Sequence, residues 1–269
     1  MMSPKISVIT INFNNLAGLK KTIQSILSQD FTNYEYIIID GGSSDGSKEY
    51  IEKYEEILKY WVSENDNGIY HAMNKGIGRA DGDYLLFLNS GDSLNMHDSL
   101  TRLIYGNNGE DIIYGDLLMV RGEESWLKTH PSIITFDFFL SNTLPHPGSL
   151  IKKELLKKVG LFSEQYKIVA DWEFFMNAIC LHSASYRHVP FPVSVFHENG
   201  ISSDPENEKQ IISEKEEIYK KNYKAFIPDY KRMHANESKL NLVQISKIHR
   251  LAFGFQKLNE NIKRVFKRK

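Results

Sequence analysis

Before residue 90 the chain alternates four times between short unbroken apolar runs and stretches of helical spacing. Ile6–Ile11, Tyr36–Ile39, Tyr60–Val62 and Tyr84–Leu88 predict strands. Runs without polar alternation suit strands covered on both faces, as in parallel sheets flanked by helices. Between them, Leu16, Leu19, Ile23, Ile26 and Leu27 recur at helical spacing, with Asn14 or Asn15 placed to cap the start. Ile51, Tyr54, Ile57 and Leu58 mark a second helix, with Asp45 as its expected cap, and Tyr70 to Ala80 a third. The pattern calls for an α/β fold with a mostly parallel sheet.

Beyond Asp92 the pattern loosens. Residues 111–120 predict a strand or hairpin, 130–150 read as loop, and Lys152–Val159 and Asp171–Leu181 as helices. Tyr186–Val189 and Val193–Phe196 read as edge strands on either side of Pro190 and Pro192. From residue 205 the sequence becomes charged and helical. The expected organisation is a body over 1–204, divided into halves of about 1–120 and 121–204, and a helical extension over 205–269.

Charge sharpens that division. Residues 205–269 carry 16 Lys/Arg against 8 Asp/Glu, whereas residues 1–204 carry 17 against 26. Ile248, Leu251, Phe255, Leu258, Ile262 and Val265 form an apolar stripe among basic residues. Such a helix can pack on the body, self-associate, or lie on an anionic membrane surface. A single cysteine, Cys180, excludes an intrachain disulfide and fits a reducing, cytoplasmic setting. No run reaches membrane-spanning length, so attachment to the inner face of a membrane would be peripheral.

Each predicted strand ends in an Asn or Asp: Asn12 and Asn14, Asp40, Asp66, then Asn89-Ser90-Gly91-Asp92. In open α/β sheets, ligands bind just beyond the carboxyl ends of the strands, so these residues should gather along one rim. Gly41 to Ser47 lacks the GxxxxGK[ST] and GxGxxG spacings, which argues against ATPase and dinucleotide readings. Asp40, fixed at a strand end, can accept a hydrogen bond from the N3–H of a uracil ring. Asp92 is a candidate ligand for a hard divalent cation, with His197 as a second. Asp171 opens a helix beside Trp172 and Glu173, a setting suited to a general base, and His146 can line the same pocket.

Five motifs follow in order: Ile6–Ile11, Asp40-Gly41-Gly42-Ser43-Ser44-Asp45-Gly46, Asn67–Gly76, Phe87–Asp92 and Ala170-Asp171-Trp172-Glu173. Each is loose alone, but their order and gaps together are specific. Over about residues 5 to 204 the chain resembles the family-2 inverting glycosyltransferases of the GT-A fold, especially those building bacterial polysaccharides and glycolipids. The resemblance implies a nucleotide-sugar donor, expected to be a UDP-sugar, a glycan or lipid-linked acceptor, a divalent metal (Mn2+ or Mg2+), and no nucleic-acid partner. It implies that Thr10, Asn12, Asn14 and Asp40 hold the nucleoside, and that Asp66, Asn74, Asn89, Ser90 and Gly91 line the donor pocket. It further implies Asp92 at the metal and Asp171 as the base that deprotonates the acceptor, with His146, Trp172 and Glu173 in the acceptor pocket. Asn89 and Gly91 stand where the family's metal motif has acids, and Met73 where many members have arginine. A nucleotide-sugar-binding protein without catalysis and a nucleotidyltransferase are the alternatives.

Overall fold

The computed structural model describes residues 4–198 and 200–245. In chain order its strands and helices are β1 (Ile6–Asn12), α1 (Leu16–Leu27), β2 (Tyr34–Asp40), α2 (Ser47–Glu52), β3 (Tyr60–Ser63), α3 (Ile69–Arg79) and β4 (Tyr84–Phe87). There follow β5 (Ser93–Leu94), α4 (Ser99–Ile104), β6 (Ile112–Arg121), β7 (Glu124–Lys128), α5 (Phe136–Ser141) and β8 (Ser149–Lys152). The last are α6 (Lys153–Val159), α7 (Ala170–Cys180), β9 (Tyr186–His197), α8 (Glu208–Asn222) and α9 (Ile227–Ile245).

The α/β class expected from the sequence is the one observed. The strands form one sheet in the order β3-β2-β1-β4-β8-β6-β9-β5, with β7 hairpinned onto β6. The first four are parallel, and beyond β4 antiparallel pairs enter. Apolar residues alternate between two buried faces. Ile6, Val8, Tyr36, Ile38 and Leu86 join a core with Leu19, Ile23 and Ile26 of α1. On the other face α3 lies so close to β1 that a Cβ at Gly76 would meet Ile9 Cγ2 at 2.5 Å. Either glycine-to-alanine change or β1 movement would therefore wedge that layer apart.

Four local expectations need correction. The second helix, α2, ends at Glu52, so Tyr54, Ile57 and Leu58 lie beyond it. The two short edge strands around Pro190 and Pro192 are one strand, β9, and it is internal, between β6 and β5. Its register with β6 shifts at Asp116, so the extra β9 residues, including Pro190, bulge out where a missing N–H breaks no ladder bond. The 130–150 loop contains α5 and reaches β8. Asp45 does not cap α2 in the usual way: Gly46 is the N-cap, and the Asp45 carboxylate accepts from Ser47 N at 3.1 Å and from Leu16 N, the first residue of α1, at 2.8 Å. Asn15 caps α1, accepting from Gly18 N at 3.1 Å.

The chain divides into two compact units, residues 1–215 and 216–269, with the division falling inside α8. The first unit thus takes in residues 205–215. In the second, residues 231–240 of α9 are exposed. The apolar stripe of residues 248–265 lies outside the described residues. No described helix is long and apolar enough to cross a membrane.

Candidate active site

Register builds the rim. Asn12 pairs with Asp40, and Asp40 with Ser63, so three strand ends stand level. Leu88 N and Ser90 N donate to Ile9 O and Ile11 O, which carries the β4 exit alongside them. Asp40 is fully buried, and its carboxylate accepts from Asn12 Nδ2 (2.7 Å), Ser43 Oγ (2.6 Å), Ser43 N (2.9 Å) and Ser63 Oγ (2.6 Å). Burial would raise its pKa, but these hydrogen bonds outweigh it and hold the carboxyl below its ordinary value. Asp40 thereby ties the loop after β2 to β1 and β3, and a nucleobase could bond to it only by displacing one of these partners. Asn14, at φ 48°, extends the tie: its Oδ1 accepts from Ser44 N at 2.9 Å.

Free acceptors stand beside it. Asn12 Oδ1 and Asp66 Oδ2 are buried without hydrogen-bond partners among the described residues. Asp66 Oδ1 is engaged by Lys75 Nζ at 2.6 Å and lies 3.1 Å from His71 Nδ1. A Cβ at Gly41 would meet Asp66 Oδ2 at 3.4 Å and Phe13 Cδ2 at 3.3 Å, and the Phe13 ring is 66% exposed. Bare backbone, an exposed aromatic face and unmet acceptors are what a flat heterocycle with N–H donors needs. Phe13 had no assigned role in the sequence, although an aromatic within Asn12-Phe13-Asn14-Asn15 was its signal.

The Asn89–Asp92 turn is held from α1. Asn15 Nδ2 donates to Ser90 O at 2.9 Å, and Gly91 N to Thr22 Oγ1 at 3.1 Å. Gly91 has φ 108°, a backbone region that disfavours any side chain, which accounts physically for the missing acid there. Asp92 is buried and accepts from the His197 backbone; burial pushes its pKa up to about 7, against the opposing field of His146. It lines a cavity of about 160 Å³ with Asn89, His146, Asp171 and His197. Asn89 Oδ1 is a further buried acceptor without a partner among the described residues. Among these residues no three His, Cys, Asp or Glu side chains converge as a metal cluster. Asp92 with the Asn89 carbonyl oxygen suits a hard cation that takes its other ligands from a bound diphosphate and water.

Asp171 sits in the first turn of α7. Tyr70 Oη lies 2.9 Å from its Oδ1, and His146 Nδ1 3.2 Å from its Oδ2. The far side of that imidazole, Nε2, is 3.3 Å from Asn89 Nδ2, so Asp171, His146 and Asn89 form a chain. Burial works to raise the Asp171 pKa, but the His146 and Tyr70 contacts hold it below the ordinary range; His146, which burial would depress, is held above its own by Asp171 and Asp92. The helix start is anchored by Glu214 of α8, whose carboxylate accepts from Lys167, Ile168 and Val169 N at 3.0, 3.1 and 3.3 Å. Asp171 also lines a second cavity of about 380 Å³, with His146 and Trp172. Asp171 and His146 thus line both cavities.

Of four other expected residues, three lie elsewhere and Ser90 stays at the smaller cavity. Thr10 is fully buried, its hydroxyl donating to Leu88 O (2.8 Å) and accepting from Tyr36 Oη (3.0 Å), so it braces β1 and does not face the rim. Asn74 bonds the 162–164 loop through Phe162 O, Phe162 N and Glu164 Oε1. Glu173 is buried and lines neither cavity. Ser90 lines the smaller cavity, but its carbonyl is spent on Asn15. Tyr70 and Glu214 were missed: a tyrosine inside an apolar helix pattern, and an acid in a charged helix, carry no sequence signal of what they touch.

The model of the glycosyl transferase family 2 matches residues 7–168. The chain belongs to glycosyl transferase family 2. An uncharacterized glycosyltransferase of Mycobacterium tuberculosis is 35% identical over 190 residues, covering 65% of this chain and 69% of that protein. Among solved structures, Staphylococcus aureus TarS 1–349 in complex with UDP aligns with a TM-score of 0.60 at 21% identity, over 72% of this chain and 60% of that one. The mannosyltransferase PcManGT of Pyrobaculum calidifontis, in complex with GDP-Man and Mn2+, aligns with a TM-score of 0.55 at 16% identity, over 72% and 57%. The chain thus spans less than two thirds of the length of these structures. This family-2 member is a glycosyltransferase with the GT-A fold.

Proposed function

We propose that this family-2 glycosyltransferase moves a sugar, with inversion, from a nucleotide-diphosphate sugar to a hydroxyl of a glycan or lipid-linked acceptor, and that Asp171 is the general base. The supporting observation is that Asp171 lines both cavities, the smaller together with Asp92. Inversion requires the acceptor oxygen to attack the anomeric carbon from the side away from the leaving group, and a base that lines both spaces is placed for that. A carboxylate held ionised by His146 and Tyr70 can take the hydroxyl proton, and such a base contributes about 10²- to 10⁴-fold.

The nucleoside would lie over Gly41 between Phe13 and Asp66, with Asn12 Oδ1 and Asp66 Oδ2 as its acceptors. A uracil N3–H matches such an acceptor, and TarS with UDP supports a UDP-sugar. A divalent cation, Mn2+ or Mg2+, would be held by Asp92 and the donor diphosphate, where it would neutralise the charge of the departing group. The Mn2+ bound with GDP-Man in PcManGT supports that part of the reading. Incubation with a panel of UDP-, GDP- and dTDP-sugars, with and without Mn2+, tests the proposal by nucleoside diphosphate release. Release from one donor supports it; pyrophosphate release would mean nucleotidyl transfer, and binding without turnover would mean a non-catalytic protein.

A further inference from the structure

The larger cavity holds cationic groups that the base chemistry does not use. Lys215 of α8 places its ammonium over the Trp172 ring, 4.8 Å from the centroid, and is half-buried. Burial lowers its pKa while the nearby Asp171 charge works the other way. Lys128, at the end of β7, lines the same space. Neither lysine has an ion pair among the described residues. The remaining lining charges are already matched, because Arg121 Nε donates to Glu198 at 2.7 Å and Asp171 is held by Tyr70 and His146.

His130 is 6% exposed and lines this cavity; its ring nitrogens are themselves buried, with Nδ1 3.8 Å from Asp116 Oδ1. Burial, with the charge of Lys128 adding to it, pushes its pKa down to about 4, so the ring is neutral and carries one N–H donor. Two ammonium groups without an ion pair among the described residues, around a space of about 380 Å³, make a cationic lining for an oxyanion beside the base.

We propose that the larger cavity selects acceptors bearing an anionic oxygen group, a carboxylate or a phosphate, near the hydroxyl to be glycosylated, with Lys215 and Lys128 as its recognition set. This rests on the glycosyl-transfer reading, in which the larger cavity at Asp171 receives the acceptor.

The test uses the full chain. Saturation-transfer NMR compares methyl β-glucuronide, glucose 6-phosphate and methyl β-glucoside on the wild type and on a Lys128→Gln, Lys215→Gln double variant, with nucleoside diphosphate present to fill the donor site. The anionic probes should bind roughly tenfold tighter than the neutral one, and the variant should lose that ratio. A carboxylate preference identifies uronic-acid acceptors, and a phosphate preference phosphorylated or lipid-phosphate acceptors. A ratio near one in the wild type, or a ratio unchanged in the variant, overturns the inference. Because the readout is a ratio, general loss of fold lowers both arms and does not mimic the result. Donor turnover in the wild type with a ratio near one would sink this inference alone, whereas absent donor turnover would sink the glycosyl-transfer reading.

Discussion

His146 Nδ1 stands 3.2 Å from Asp171 Oδ2, joining the turn before β8 to the first turn of α7. The contact decides the state of the carboxylate. Burial alone would favour its protonated form; the imidazole, together with the Tyr70 hydroxyl and the Trp172 N–H, outweighs burial. His146→Ala removes the positive partner, so the Asp171 pKa rises and the acidic limb of the kcat/KM profile moves to higher pH, by about one unit or more. An unmoved limb would show that His146 does not set the ionisation of this carboxylate.

Glu214 anchors the same helix from outside it. Its carboxylate serves three backbone N–H groups just ahead of α7, where negative charge is also favoured by the helix dipole. Glu214→Ala should lower stability by about 1–3 kcal/mol and reduce kcat more than it changes donor affinity. Thermal melts beside initial rates check both parts.

Asp92 makes cation binding pH-dependent. With a folded pKa of about 7 against 3.8 ordinarily, it keeps a proton between those values that the unfolded chain has released, so this group disfavours folding increasingly as pH rises through that window. A cation held there displaces the proton. Mn2+ added with nucleoside diphosphate should therefore raise the melting temperature more at about pH 8 than at about pH 6, and Asp92→Asn should erase the difference. Equal shifts at both pH values would place the cation elsewhere.

Asn12 and Thr10 lie two residues apart on β1 and should behave oppositely. Thr10→Val leaves the Leu88 carbonyl and Tyr36 hydroxyl without their partner in a fully buried place, lowering stability by about 1–3 kcal/mol with nucleotide affinity unchanged. Asn12→Ala should weaken nucleotide binding, because it removes an unmet rim acceptor and loosens Asp40. Calorimetric titration with nucleoside diphosphate on both variants separates the two roles.

The parallel half of the fold was legible because its strands are apolar without interruption and each ends in a polar residue at one level of the register. The second half was not, because a strand that carries two prolines through a bulge does not look internal, and β5 has only two residues. In the site, Asp92, Asp171 and His146 lie around shared cavities, as strand exits and a helix start allow. Thr10 and Asn74 could not be told from ligand contacts, since a polar side chain in a motif reads the same whether its partner is a ligand or a neighbouring loop. Residues 205–215 read as part of an appendage by charge alone, yet Glu214 and Lys215 reach α7 through single side-chain contacts that no periodicity announces.

The central claim is that Asp171 is the base of an inverting transfer, and Asp171→Asn tests it most directly. With a donor identified by nucleotide release, the amide variant should lose transfer by about 10²-fold or more while binding the donor with nearly wild-type affinity. Transfer at an undiminished rate, or loss of donor binding in step with loss of rate, would contradict it.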